Sequence, residues 1–374
     1  MWLKNLELLN FRNFSSVKLE FSPTLNIFEG GNSEGKTNLL EAIYCLGRGE
    51  SFRTFNEKHL IRWNQSHLYV RGEGNRRNNF FKYEFLIGDN LAKVRKVNSR
   101  PVSLKNTDWW LWTVVFSSQD VKIVQGSPIY RRKFIDSILS FLYPGFSNLR
   151  SSFREVLRQR NTLLRMIEKR EENKINKELE VWNFQFLKLG SKIVYLRLKG
   201  LKKLSSHFQR ILYRLTGKKC PSSLLYSSSF LDPEDTDYSL AKIQEKFFLK
   251  LKRIKKREIE RKISLIGPHR DDFQIIVDGV NQRIFGSQGE QRTVAIALKL
   301  AETALIEERE KEPPIVLLDD ITSDLDPIRE KFLLDTVQKI GQIFVTTQNI
   351  SKFDQDFIKK GLIFHIKSGK VVLK

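Results

Sequence analysis

Residues 30–37 read Gly30-Gly31-Asn32-Ser33-Glu34-Gly35-Lys36-Thr37, directly after the apolar run Leu25 to Phe28. A glycine, four residues and then Gly-Lys-Thr is the spacing of a phosphate-binding loop (P-loop) set between a strand and a helix. Glycines let such a loop turn with its N–H groups facing inward, and the helix that follows aims the positive end of its dipole at the same point. Residues 30–35 are therefore expected to cradle phosphates through their backbone. Lys36 supplies a compact charge at the β and γ positions, and Thr37 offers its hydroxyl to Mg²⁺. The flanking text predicts a strand over 25–28 and a helix from Lys36 to about Leu46.

A magnesium triphosphate site also needs a carboxylate at the end of a neighbouring buried strand. Ile315-Val316-Leu317-Leu318-Asp319-Asp320 provides one, with Asp319 placed to hold the Mg²⁺ shell and Asp320 to orient or deprotonate an attacking water. A further strand, Ile343 to Val345, ends in Thr346-Thr347-Gln348, within reach of a γ-phosphate. Ser287-Gln288-Gly289-Glu290-Gln291 opens a helix expected from about Gly289 to Lys311. Serine and glycine at a helix N-terminus suit an anion. The P-loop already cradles one nucleotide, so the economical source of a second anion is ATP on another subunit, giving a head-to-tail dimer. On residue type alone Ser287 reads better as an ordinary N-cap.

With 374 residues, 40% hydrophobic and 29% charged, the chain buries a core and is long enough for one head with a large insertion. The head is expected over 1–122 and 263–374, interrupted by a helical arm over 123–262. Inside that arm, Leu149, Phe153, Val156, Leu163 and Ile167 recur at helical spacing with Arg160 on one step of the stripe. A second stripe runs Leu179, Trp182, Phe186, Leu189, Ile193, Leu196. The polar stretch Lys169 to Lys177 joins them as a loop, predicting an αα-hairpin.

Charge follows the same division. The formal net charge is +22, and residues 150–262 carry +16 of it, with 29 Lys and Arg against 13 Asp and Glu. A cationic field of this size points to nucleic acid before anionic membrane. The candidate phosphate contacts are Lys252, Arg253, Lys255 and Lys256 in the densest run, with Arg95 and Lys96 on a predicted hairpin of the head. The run reads with equal weight as the solvated face of a helix. Two cysteines, Cys45 and Cys220, build no disulfide framework and fit a reducing cytoplasm. No apolar run approaches the roughly 20 residues of a membrane span, and the alternating N-terminus predicts a strand in place of a cleavable leader.

Taken in order, the P-loop followed by Asn38, the Ser287 to Gln291 segment, Asp319-Asp320 and Ser323-Asp324-Leu325-Asp326 resemble an ABC-type ATPase head of the SMC-like class, an α/β fold. The finer text is similar to the RecF family of bacterial recombination proteins: Leu9 to Phe14, Gly126-Ser127-Pro128 with Arg131-Arg132 and Phe134 to Asp136, Gly267 to Asp272, and Gln288 to Thr293. The resemblance implies ATP and Mg²⁺ as cofactors, and a homodimer, formed with ATP, that binds double-stranded and gapped DNA. It further implies a cytoplasmic role with RecO and RecR in loading RecA, and weak, DNA-stimulated ATP hydrolysis that ends the bound state. Asn38, Gly289, Asp324 and Thr347 are the further nucleotide contacts it implies.

The chain departs from that pattern at several places. Ser118-Gln119-Asp120 replaces the usual Pro-Glu-Asp, Glu290 stands where signatures have Gln, and no histidine follows strand 343–345. His269 beside Asp271 and Asp272 is too sparse a set for a metal site. Two other function classes compete with the resemblance. A transporter nucleotide-binding subunit is disfavoured by the roughly 250 residues separating Lys36 from Ser287 and by the basic arm; a structural DNA-binding module glued by ATP is disfavoured by Asp320.

Overall fold

The computed structural model describes all residues except 55, 89–91, 104–110, 167–171, 233–237 and 321–325, and of 172–176 the backbone alone. The chain forms two compact units, Met1–Asp120 with Arg292–Lys374, and Val121–Gln291.

The first unit is built on a six-stranded sheet in the order Lys370–Leu373, Gly361–Lys367, Leu25–Glu29, Ile343–Thr347, Ile315–Asp319, Thr113–Ser117. All neighbours are parallel except the first pair. Parallel strands covered on both faces read as unbroken apolar runs, and Ile315 to Leu318 and Ile343 to Thr347 are buried throughout. A second sheet is antiparallel, in the order Phe14–Glu20, Asn5–Phe11, Leu68–Arg76, Asn79–Ile87, Lys93–Val97, Arg100–Val102. Helix Lys36–Arg48 contacts strands of both sheets. It buries Leu39, Leu40, Ala42, Ile43 and Leu46, which accounts for apolar residues on more than one face of a 13-residue helix. Gly47 is required there, since a Cβ would stand 2.4 Å from the carbonyl oxygen of Leu111.

The second unit joins helices Pro128–Leu142, Phe146–Met166, Glu172–Thr216 and Leu240–Arg261 to a three-stranded sheet of Ser222–Ser227, Asp272–Val277 and Val280–Asn281. The long helix starts at Glu172, so the end of the expected 169–177 loop is helical; it then continues 20 residues past Leu196. Arg160, the odd residue of the first stripe, is buried and spends its guanidinium on Asn183 Oδ1 (2.7 Å), Ser264 Oγ (2.6 Å) and Glu258 Oε2 (2.5 Å).

Residues 263–291 cluster with this unit, whereas their strand-and-turn pattern had placed them in the head. Strand Asp272–Val277 pairs with Ser222–Ser227, and Asp272 takes a two-pronged hydrogen bond from buried Arg131 at 2.7 and 2.8 Å. The Gly267 to Asp272 segment is structural glue of the arm. Arg197 donates to the Pro268 carbonyl (2.6 Å) and to Asp136 (2.9 Å). Asp271 accepts from Tyr226 Oη and from both N and Oγ of Ser229. Burial pushes His269 down to about 4 and keeps it neutral.

Candidate functional site

The central strand Leu25–Glu29 delivers the chain into the phosphate loop at the C-terminal edge of the parallel sheet, where α/β folds bind ligands. The loop needs its glycines: Gly35 has φ +119°, and a Cβ on Gly30 would meet the Ile366 carbonyl oxygen at 2.4 Å. It is braced from elsewhere in the chain. Asn13 Nδ2 donates to the Glu34 carbonyl (2.9 Å), Gly369 N donates to the same oxygen (3.3 Å), and Ser368 N donates to the Glu34 carboxylate. The N–H groups of Asn32, Ser33, Glu34 and Gly35 find no acceptor among the described residues. Lys36 Nζ donates to the Gly30 and Gly31 carbonyls at 2.8 and 2.6 Å, curled back across the mouth of the loop. Burial lowers its pKa, opposed by Asp320, Asp319 and Glu34.

Strand Ile343–Thr347 separates the phosphate-loop strand from Ile315–Asp319, yet the two ends meet across it: Thr37 Oγ1 donates to Asp319 Oδ1 at 2.7 Å. Burial raises the Asp319 carboxyl, countered by the hydroxyls of Thr37 and Thr346. A hydroxyl and a carboxylate in contact are the hard oxygen pair that Mg²⁺ takes from protein when phosphates and water complete its shell. No cluster of three His, Cys, Asp or Glu occurs among the described residues. Asp320 has φ +50°, which turns its side chain away from the strand direction, and its N–H donates to Thr346 Oγ1 at 2.9 Å.

Among the three residues after strand 343–345, Thr346 faces Asp319. Gln348 lines a cavity of about 760 Å³ together with Gly30 and Gly31. The Thr347 hydroxyl donates to the Asn349 carbonyl (3.0 Å) and accepts from Asn349 N, closing a turn. Asp324 lies outside the described residues. Asn38 is held in place by Asn13 Oδ1 (2.8 Å) and by Arg53, whose guanidinium donates to Asn38 Oδ1 at 2.9 Å and draws the Asp319 pKa down. Motif spacing did not point to Arg53; its signal was a lone arginine soon after the phosphate-loop helix. Arg12, from the Leu9 to Phe14 segment, grips buried Glu41 at 2.7 and 2.8 Å and so anchors that helix.

The Ser118-Gln119-Asp120 segment is a single 3₁₀ turn at the end of the strand beside Asp319. Asp120 accepts from Ser117 N at 2.6 Å, and burial pushes its carboxyl up to about 6. Its folded pKa lies above the unfolded one, so folding takes up a proton between about pH 4 and 6 and stability falls as pH rises through that window. Asp120→Asn, which keeps an oxygen for Ser117, is expected to be more stable than wild type by up to about 2–3 kcal/mol above pH 7 and equal to it below about pH 4. Urea unfolding at the two extremes reads the difference; the same gain at both would detach it from charge.

In the second unit, Ser287 and Glu290 form a capping box at the start of helix Gln288–Glu310. Ser287 N donates to Glu290 Oε2 (2.8 Å) and Glu290 N to Ser287 Oγ (3.3 Å). Glu290, the residue that departs from the signature pattern, thus has a local task. Ser287 is exposed and Gly289 half-buried. Gln291 is buried, accepting from Gln125 Nε2 at 2.6 Å.

The DNA candidates separate. Arg95 is corrected: it is buried, burial pushes it down to about 10, and it donates to the Gly47 carbonyl at 2.9 Å inside the head, out of reach of a phosphate at the surface. Lys96 is half-buried opposite Glu84, while Lys252, Arg253, Lys255 and Lys256 are exposed on helix Leu240–Arg261.

The family model described as RecF/RecN/SMC N terminal domain matches residues 2–362. The DNA replication and repair protein RecF of Heliobacterium modesticaldum is 37% identical over 373 residues, 99% of either chain, and that of Bacillus cytotoxicus is 36% identical over 99% of this chain and 98% of its own. The chain belongs to the RecF family. Two solved structures of the recombination mediator protein RecF in the RecFOR pathway, one of them with ATP, match with a TM-score of 0.89 at 32% and 31% identity, covering 100% of this chain and 98% and 97% of theirs. An Smc head domain from Pyrococcus furiosus matches at TM-score 0.54 and 17% identity, a likeness of fold. This member of the RecF family thus has the ABC-type ATPase head expected from its motifs. Among its described residues no helix is long and apolar enough to cross a membrane.

Proposed function

We propose that the chain is an ATP-gated DNA clamp of gap repair. Two copies associate head to tail around two ATP molecules, bind duplex DNA beside a gap, and assist RecA loading with RecO and RecR in the cytoplasm. Slow, DNA-stimulated hydrolysis then resets the clamp. The observation that carries this reading is the 2.7 Å contact of Thr37 with Asp319 beside a loop whose inward N–H groups have no other acceptor among the described residues. Lys36 would exchange its carbonyl partners for phosphate oxygens. Thr37 and Asp319 would hold Mg²⁺, which neutralises charge on the phosphates when bound. Asp320 would take the proton of the attacking water, and Arg53 adds positive charge near Asn38 and Asp319. Ser287 and Gly289 would receive the γ-phosphate held by the other copy.

Light scattering with and without ATP and Mg²⁺ tests the proposal, with Ser287→Arg as the decisive variant. It should still bind ATP as a monomer yet neither dimerise nor hydrolyse, because a bulky cation fills the place of the approaching phosphate. If it weakens ATP binding by isolated monomers, the signature acts within one chain and the head-to-tail arrangement fails.

A further inference from the structure

Of the 36 residues from Val181 to Thr216, eight are Lys or Arg and none is Asp or Glu. All lie on the one continuous helix Glu172–Thr216. Arg197 is buried against Asp136 and leaves the count. Lys188, Lys192, Lys199, Lys202, Lys203, Arg210 and Arg214 remain, all exposed, and none forms an ion pair among the described residues; the first six make up a row, with Arg214 one turn beyond it. At 100° per residue these six fall within about 100° of arc, so they form one row on one face. From Lys188 to Arg210 the row is about 33 Å long. Its centre is organised by aromatic contact: Lys199 Nζ stands 4.4 Å from the centroid of the Tyr195 ring.

We propose that this outer face of the long arm helix is a contact surface for the phosphate backbone of duplex DNA. No carboxylate neutralises this row: Arg210 meets His207 Nδ1 (2.7 Å) and Lys199 meets Tyr195, neither of them an anion, so a bound polyanion would relieve its self-repulsion. The row matches the roughly 34 Å of one turn of B-form duplex. Between Tyr195 and Tyr213 its exposed positions are Lys199, Lys202, Lys203, Ser206, Gln209 and Arg210. Along the row the one tyrosine of this face, Tyr195, is covered by Lys199, and the exposed rings Phe184 and Tyr213 stand only beyond its two ends, so the row suits a stiff duplex better than a single strand, which stacks successive bases along its path. The inference rests on the DNA-clamp reading and adds to it a surface separate from the Lys252 to Lys256 run.

The test titrates salt against binding of a duplex about three turns long and of a single strand of equal length, with ATP and Mg²⁺ present. The variant is Lys188→Gln, Lys192→Gln, Lys202→Gln and Lys203→Gln together, with the four Lys→Arg changes as the charge-conserving control. The glutamines should lower the duplex slope of log affinity against log salt by about 3–4 and the affinity near 0.1 M salt at least tenfold. ATP-dependent dimerisation and the thermal melt should stay as in wild type, and arginine should restore the slope. An unchanged duplex slope in the glutamine variant, a loss confined to the single strand, or a loss that arginine does not restore overturns the assignment while leaving the clamp reading in place. Failure of the wild type itself to bind duplex overturns both.

Discussion

Lys36→Met is expected to leave a folded monomer that no longer dimerises with ATP. In the loop Lys36 is the one cation of the P-loop motif, and a charge-assisted contact to phosphate contributes about 2–3 kcal/mol, or roughly 30- to 150-fold in ATP affinity. Methionine also releases the Gly30 and Gly31 carbonyls that the ammonium now bridges, so the loop loses its closed form as well as its charge. Asp319→Ala should give the same monomer by another route, since Thr37 loses its 2.7 Å partner and the Mg²⁺ position loses its carboxylate. Light scattering against ATP concentration, beside a nucleotide-free melt to show that the fold survives, decides the matter. ATP-dependent dimers of either variant at the wild-type midpoint would remove the loop from the mechanism.

Asp320→Asn should act in the opposite sense on the dimer. Asp320 sits at φ +50°, a conformation that asparagine adopts at less cost than alanine, so the amide keeps the backbone and its N–H bond to Thr346 while removing only the basic oxygen. Loss of a general base lowers turnover by about 10²- to 10⁴-fold. Dimers formed on ATP should therefore outlast those of the wild type by a comparable factor in a chase with excess ADP. Equal hydrolysis by the two proteins would leave Asp320 without a catalytic role.

The residues legible in the sequence are those whose meaning is carried by close spacing. Gly30 to Thr37 and Ile315 to Asp320 are each a strand followed at once by its functional end, and the structure joins them through Thr37 and Asp319. The N-cap of Ser287 was legible too, but its return partner Glu290 reads there only as a departure from the signature, although serine followed three residues later by glutamate is the spacing of a capping box. Arg95 was misread because its strand inverts the usual alternation: Val94 faces solvent while Arg95 shares the inward face with Val97. The extent of the arm was hidden for a different reason. Residues 263–291 carry a strand pattern like that of the head, and only the long-range partners Arg131, Ser229 and strand 222–227 tie them to the helices. Periodicity carries no information about partners that distant.

The bracing of the phosphate loop has a consequence for synthesis on the ribosome. Glu34 takes its Ser368 hydrogen bond from 334 residues downstream, and the strand holding the loop lies between two others, Ile343–Thr347 and Gly361–Lys367, that are made long after it. While earlier parts of the chain emerge, the loop exists as sequence without either neighbour, and its sheet cannot close around it. Contacts of such separation are slow to form and leave strand edges open meanwhile. A nascent chain therefore has no built nucleotide site until strands 343–347 and 361–367 are out, and the capacity to hold ATP arrives long after the loop itself has been made.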